Sequence, residues 1–204
     1  MKVKQPKIAM VILAAGESKR MRTIKQVLPW KKTTLLGHII DEGLNSNIDE
    51  VFVVLGANSE SILKKIDPTN ITIIKNRNWQ EGMGTSIACA MHYFTNKSLH
   101  FDAALIALSD QPLIDSKHFN MLISNLFDDN INIVATQIKN RIGVPAVFDS
   151  KYFDALSKLN KDYGARKILS SSSDDILSIN IEERTADIDT MEAYRFLYDK
   201  YGLE

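Results

Sequence analysis

Cysteine is nearly missing from this chain of 204 residues: Cys89 stands alone, which removes internal disulfides and every cysteine-cluster metal site. In the setting Ile87-Ala88-Cys89-Ala90 the thiol reads as a small buried residue of a helix rather than a nucleophile. An excess of charge is missing too, since 25 lysines and arginines balance 25 aspartates and glutamates. No global field therefore favours nucleic acid or an acidic membrane, and any bound polyanion must be met by local cations. No apolar run approaches the length of a membrane span. Lys2, Lys4 and Lys7 before the apolar residues 8–15 imitate a short signal peptide, but cleavage there would destroy the most informative motif of the sequence. A soluble cytoplasmic protein is expected.

What is present is an ordinary globular balance, 45% hydrophobic and 25% charged, in a length that suits one domain with a sizeable core. No repeat, low-complexity linker or long polar gap divides residues 1–204. Apolar runs recur at 8–13, 51–55, 71–74, 103–108, 131–135, 146–148 and 176–181. Between them Ile87, Ala90, Met91 and Phe94 repeat at helical spacing, as do Phe119, Leu122, Ile123 and Leu126, with Asp115 as N-cap of the second helix. Met191, Tyr194, Leu197 and Tyr201 form a stripe behind a capping Thr190. Short apolar strands alternating with amphipathic helices predict a three-layer α/β/α domain with a largely parallel sheet. Its ligands belong at the carboxyl ends of the strands. Ser170 to Ser173 with Asp174 and Asp175 reads as a solvated helix-to-strand loop.

The first apolar run ends in Leu13-Ala14-Ala15-Gly16-Glu17-Ser18-Lys19-Arg20-Met21, with Lys25 and Leu28-Pro29 behind it. Small residues let a backbone approach a ligand, Gly16 can take angles closed to other residues, and loop amides can point at phosphate oxygens. Arg20 and Lys25 would neutralise the charge of a triphosphate. The Gly-Lys-Ser/Thr ending of a P-loop is lacking, and so is the three-glycine spacing of a dinucleotide fingerprint.

Other candidate groups fall at later strand ends. Asp110, in Leu108-Ser109-Asp110-Gln111-Pro112, suits Mg²⁺ beside a triphosphate, or else an Asx turn or cap. Asp187 and Asp189, two residues apart, share one face of an extended segment and offer further metal or water ligands; they also suit the dipole and free amides of the following helix. The stretch Asn76 to Ser86, with Gly82 and Gly84 before Thr85 and Ser86, describes a turn into a helix N-terminus that favours a base carbonyl or an anion, while Ser86 also suits a simple N-cap. Trp79 is read as packing against its own domain in preference to stacking on a ligand ring.

Taken in order, these motifs resemble those of the molybdenum cofactor nucleotidyltransferases, and among them the cytidylyltransferase branch. The resemblance rests on Leu13 to Met21 with Lys25 and Leu28-Pro29, Asn76 to Ser86, Asp110 to Pro112, Gly143-Val144-Pro145, Asp162 to Arg166, and Asp187 to Glu192. Ala14-Ala15 resembles the cytidylyl form, where the guanylyl branch usually carries Ala-Gly-Gly. Lys161, Val144, Met191, Arg22-Thr23 and Lys32 depart from the family pattern. The departures at 144 and 161 lie in the half that meets the acceptor by resemblance, so they bear on the acceptor more than on the nucleotide.

The resemblance implies a Rossmann-like nucleotidyltransferase fold of the nucleotide-diphospho-sugar transferase type and a Mg²⁺-dependent transfer from CTP to molybdopterin with release of pyrophosphate. It places Arg20, Lys25 and Asp110 in catalysis, with Mg²⁺ on Asp110, Asp189 and Asp187. Leu13, Ala14, Ala15, Gly16, Asn76, Gly84 and Ser86 would surround the nucleotide. Gly143, Pro145, Asp162 and Arg166 would line the acceptor side, although Arg166 equally suits an anchor of its own helix. A molybdenum hydroxylase would receive the product. Another NTP such as GTP, another acceptor such as a sugar phosphate, and a non-catalytic delivery protein stay open as alternatives. His38, His92, His100 and His118 are scattered and read as packing or surface residues.

Overall fold

The computed structural model describes residues 5–126, 131–171, 175–181 and 186–203. The strands are β1 (Ile8–Ala14), β2 (Pro29–Trp30), β3 (Thr33–Thr34), β4 (Glu50–Leu55), β5 (Ile71–Lys75), β6 (Ala103–Leu108), β7 (Ile133–Ile138), β8 (Arg141–Asp149) and β9 (Ile176–Asn180). The helices are α1 (Leu35–Leu44), α2 (Ser59–Leu63), α3 (Met83–Asn96), α4 (Ser116–Leu126), α5 (Phe153–Ser157), α6 (Arg166–Ser171) and α7 (Met191–Tyr201). Seven strands form one sheet in the order β5-β4-β1-β6-β8-β7-β9, and β2 pairs with β3 as a separate ribbon. Every neighbouring pair of the large sheet is parallel except those of β8, which is antiparallel to both β6 and β7. The expected largely parallel sheet is therefore present.

β1 is apolar and buried at all seven positions because both of its faces are covered. Ile8, Met10, Ile12 and Ala14 pack with α1, α2 and α4 through residues such as Leu36, Ile39, Ile62, Phe119 and Leu122. Ala9, Val11 and Leu13 point the other way, onto Ile87, Ala90, Met91 and Phe94 of α3, with Leu156 of α5 and Leu169 of α6 in the same cluster. Period-two alternation along one strand thus feeds two cores, which is what makes three layers. A third cluster of Met21, Trp30, Leu35, Ile188, Tyr194 and Leu197 seats α7 over the segment that follows β1.

The caps at Asp115 and Thr190 hold: Asp115 Oδ1 accepts from the His118 amide at 2.9 Å, and Thr190 Oγ1 accepts from the Ala193 amide at 3.1 Å. Ser86 is not a cap. α3 begins three residues earlier, at Met83, with Gly82 in the cap position, and Ser86 lies buried within the helix. Cys89 sits in α3, half-buried, its thiol directed to the Lys75 carbonyl at 3.8 Å and its pKa raised by burial. His38 and His118 are buried, the first holding the Pro112 carbonyl at 3.1 Å. Ser170 and Ser171, expected in a polar loop, instead end α6, and residues 172–174 lie outside the described residues.

The reversed strand β8 departs from the alternating pattern. β7 and β8 form a hairpin across Lys139 and Asn140, and their register slips between Ala135 and Thr136, where Ala135 pairs with Ala146 but Thr136 with Gly143. Val144 and Pro145 are the unpaired residues of that bulge. Proline cannot donate to a ladder, and a bulge is where a sheet tolerates it. The Thr136 hydroxyl fills the gap by donating to the Pro145 carbonyl at 2.6 Å.

The order of strands also positions the ligand crevice. From β1 the chain moves to β4 and β5 on one side and then returns to β6 on the other, so the topology reverses between β1 and β6. Leu13 pairs with Leu108 there, which brings the loops after both strands to the same lip.

Phe52 of β4 is 1% exposed and packs edge-on against Phe94 and Phe101 at centroid distances of 4.8 and 5.7 Å. Phe52→Ala is expected to cost about 3–5 kcal/mol of unfolding free energy, measured by denaturant titration.

Candidate active site

At the β1/β6 lip opens a cavity of about 810 Å³, lined by residues 13 to 21 with Lys25, Gln26, Trp79, Gln80, Gly82, Met83, Ser86, Leu108, Ser109, Asp110 and Asp189. The expected residues Leu13, Ala14, Ala15, Gly16, Arg20, Lys25, Ser86, Asp110 and Asp189 are all on that wall. The loop from Glu17 to Arg22 is tightly wound, with Ser18 and Arg22 in the left-handed region at φ 59° and 52°. Gly16 is outside that region, contrary to the expectation that its unusual angles matter. A Cβ there would meet nothing within 4 Å, so the glycine leaves open room on the cavity side.

Lys25 is the hub. Its ammonium donates to Asp110 Oδ2 at 2.5 Å and to the Ile188 carbonyl at 3.3 Å, and lies 3.5 Å from Asp189 Oδ1. Arg20 Nη2 is 2.9 Å from Asp189 Oδ2. The two cations and two carboxylates thus neutralise one another across the lip. Lys25 and Asp110 are each 15% exposed at the side chain, whereas Arg20 is 70% exposed, so the inner pair is the less screened one. Asp110 Oδ1 is buried and has no hydrogen-bond partner among the described residues. A buried acceptor on a cavity wall without a protein donor is suited to a cation or a donor group. Among the described residues no three histidine, cysteine, aspartate or glutamate side chains converge as a complete metal site.

Asp187 corrects the expectation of one acidic face. It lies on a second cavity of about 180 Å³ with Gln111, Arg141, Ile142, Gly143, Val144, Tyr163 and Arg166, while Asp189 faces the first. The chain turns between them because Ile188 is buried under α7 and is held at both ends, its amide donating to the Asp110 carbonyl at 2.9 Å and its carbonyl accepting from Lys25. Burial pushes the Asp187 carboxyl above its usual range, helped by the charges of Asp110 and Asp189 and opposed by a 2.9 Å hydrogen bond from Gln111 and by Arg141. The two cavities share Leu13, Met83 and Leu108 and so adjoin across an apolar neck.

Three expected nucleotide or acceptor contacts act from behind the walls. Asn76 is buried, donating to Thr85 Oγ1 at 2.9 Å and Ser86 Oγ at 3.0 Å, and so fixes the start of α3. Gly84 faces the backbone of Asn160, where a Cβ would come within 2.7 Å of the carbonyl oxygen. Pro145 is buried in the β7/β8 bulge and lines neither cavity. Gly143 and Arg166 do line the second cavity. The side chain of Asp162 lies outside the described residues. Trp79 packs over Gly56 and also lines the first cavity. Sequence reasoning missed Gln26, Gln80, Met83, Gln111 and Arg141; glutamines beside a charged motif residue carry no spacing signal, and Met83 read only as part of a turn.

The model of the MobA-like NTP transferase domain matches residues 10–176. The chain belongs to the MobA-like NTP transferase family. It is 30% identical over 202 residues to nicotine blue oxidoreductase of Paenarthrobacter nicotinovorans, covering 94% of this chain and 97% of that one. The crystal structure of a homolog of Rv0371c from Mycobacterium sp. strain JC1 superimposes with a TM-score of 0.81 at 25% identity, over 95% of this chain and 96% of that one. Rv0371c of Mycobacterium tuberculosis H37Rv, in complex with manganese, gives 0.77 at 22% identity over 95% and 98%, a likeness of fold alone. The nucleotidyltransferase has the nucleotide-diphospho-sugar transferase fold expected from its motifs. Among its described residues no helix is long and apolar enough to cross a membrane.

The two glycines separate packing from binding. Gly84→Ala is expected to lower stability by about 1–3 kcal/mol, because backbone cannot yield as a side chain can. Gly16→Ala in the nucleotidyltransferase should leave the melting temperature within a degree or so yet weaken triphosphate binding, as followed by calorimetric titration.

Proposed function

We propose that this nucleotidyltransferase moves a cytidylyl group from CTP to the terminal phosphate of a molybdopterin-type acceptor, in the cytoplasm, with release of pyrophosphate. The observation that carries the reading is the array of Arg20, Lys25, Asp110 and Asp189 on the lip between the β1 loop and the β6 loop. Cations for a triphosphate and carboxylates for a metal stand there within one ion-pair distance of each other. An oxygen of the acceptor phosphate attacks the α-phosphorus in line, the bond to the bridging oxygen breaks, and pyrophosphate departs. A phosphate nucleophile is already ionised and needs no general base, and among the described residues no histidine lines either cavity. Lys25 would then serve the charge that develops at the α-phosphate, and Arg20 the outer phosphates.

The residues also suit a hard divalent cation. Asp110, through its unpartnered Oδ1, and Asp189 would hold it, with water and phosphate oxygens completing its shell. When bound, Mg²⁺ would supply charge neutralisation across the phosphates. Asp187, in the other cavity, is left out of that set. Manganese in the structure of Rv0371c supports a divalent requirement of this kind. The second cavity would take the acceptor, with Arg141, Gly143 and Arg166 around it and the neck at Leu13, Met83 and Leu108 leading toward Lys25. CTP as donor rests on Ala14-Ala15, and a molybdenum hydroxylase as the receiving enzyme rests on the motif resemblance.

One relative's name brings in a second reading, an oxidoreductase, for which a nicotinamide dinucleotide would be the cofactor to test. The loop after β1 lacks the glycine spacing such a cofactor favours, so transfer is preferred. Both are tested by one panel: CTP, GTP, ATP and UTP, each with molybdopterin or a sugar phosphate, with Mg²⁺, Mn²⁺ or chelator, assayed for pyrophosphate. Pyrophosphate with CTP, molybdopterin and metal together is the expected result. Oxidation of a reduced nicotinamide with no pyrophosphate from any pair would overturn it, and tight cofactor binding with neither reaction would make the chain a carrier.

Lys25→Ala is expected to reduce turnover on the order of 10²–10³-fold with folding intact. Asp110→Asn should raise the metal concentration needed for half-maximal rate at least tenfold; an unchanged metal requirement would place the metal elsewhere.

A further inference from the structure

Gln26 is a fully occupied amide beneath the phosphate loop. It is 1% exposed, on the short 3₁₀ turn Lys25–Val27. Its Nε2 donates to the Ala14 carbonyl at 3.0 Å and to the Gly16 carbonyl at 2.8 Å. Its Oε1 accepts from Ser18 Oγ at 3.3 Å, and the same Ser18 oxygen lies 3.4 Å from the Lys25 amide nitrogen that donates to it. The carbonyl between the two, that of Ala15, accepts from the Ala57 amide at 3.0 Å. All three carbonyls of residues 14 to 16 are therefore tied to protein donors.

That has a consequence for the amides. In a planar trans peptide the C=O and N–H of one unit point in opposite directions. Fixing the Ala14 and Gly16 carbonyls on buried Gln26 turns the Ala15 and Glu17 amides away from it. The other side is the open side, where Gly16 and Glu17 are exposed and residues 15 to 18 line the large cavity. Neither amide donates to a backbone acceptor outside the regular strands among the described residues. Two alternate amides turned to the same open side offer backbone donors to an anion there.

We infer that Gln26 is a positioning residue that sets the peptide planes of the Ala14–Glu17 loop, so that its amides receive the phosphates of the nucleotide. It touches no phosphate itself. Through Ser18 it also couples that loop to the backbone of Lys25, so one side chain holds both the amide and the ammonium parts of the site in register. A hydrophobic residue of the same length would fill its space but leave two carbonyls without donors and free the peptides to rotate. The inference rests on the nucleotide-transfer reading and adds a residue that its motifs do not contain.

The test compares binding of nucleoside, mono-, di- and triphosphate in the cytidine and guanosine series by calorimetry, for the wild type, Gln26→Met and Gln26→Glu. In the wild type affinity should climb with each phosphate. In Gln26→Met nucleoside binding should stay within twofold, while the gain from nucleoside to triphosphate shrinks at least tenfold and KM for the triphosphate rises more than kcat falls. Gln26→Glu, of like size but with no proton to donate when ionised, should reproduce the shrunken gain, which guards against a packing defect peculiar to methionine. An unchanged phosphate gain in both variants overturns the inference, as does an equal loss of nucleoside and triphosphate binding. A wild type whose affinity does not depend on phosphate number overturns the proposed function itself, and the role of Gln26 with it.

Discussion

The bond from Lys25 to Asp110 joins three segments that are far apart in the chain. Lys25 lies beyond the β1 loop, Asp110 at the end of β6, and the Ile188 carbonyl that shares the ammonium precedes α7. The Asp110 carbonyl in turn takes the Ile188 amide. A lysine with three acceptors around one nitrogen is held by its donors as well as its charge, and at 15% side-chain exposure the pairing is shielded from water and salt. Through Ile188 this contact also ties down the turn between Asp187 and Asp189.

Its position is dictated by the sheet. Because β1 is covered on both faces and flanked by parallel strands, its two neighbouring loops leave from the same end, and the reversal of strand order opens the crevice between them. The pairing of Leu13 with Leu108 then fixes how far apart the two loops stand. Rigid strands carry the groups that must meet, and the small residues 14 to 16 leave the space in which a ligand could lie.

The second cavity is built by different means. The reversed strand β8 enters the sheet next to β6, and its bulge at Val144-Pro145 bends the segment that carries Gly143 toward α6. Two arginines, from the start of β8 and the start of α6, meet a mixed surface there with Gln111, Tyr163 and Asp187, whose carboxyl burial raises above its usual range. Of the two departures from the family pattern at 144 and 161, Val144 lines this cavity and Lys161 does not.

Read alone, the sequence determined the layers, most of the strands and several charged residues that line the large cavity, because apolar periodicity and local motifs are properties of adjacent residues. Lys25, Arg20, Asp110 and Asp189 were legible for that reason, as were the caps at Asp115 and Thr190. Tertiary structure alone decided which of them touch. It separated Asp187 from Asp189 by burying Ile188 between them, assigned Asn76, Gly84 and Pro145 to support behind the walls, reversed β8, and set Gln26 under the phosphate loop. Each of these depends on hydrogen bonds or contacts between residues distant in the chain or on the turn of a single peptide, and neither leaves a period or a spacing in the sequence.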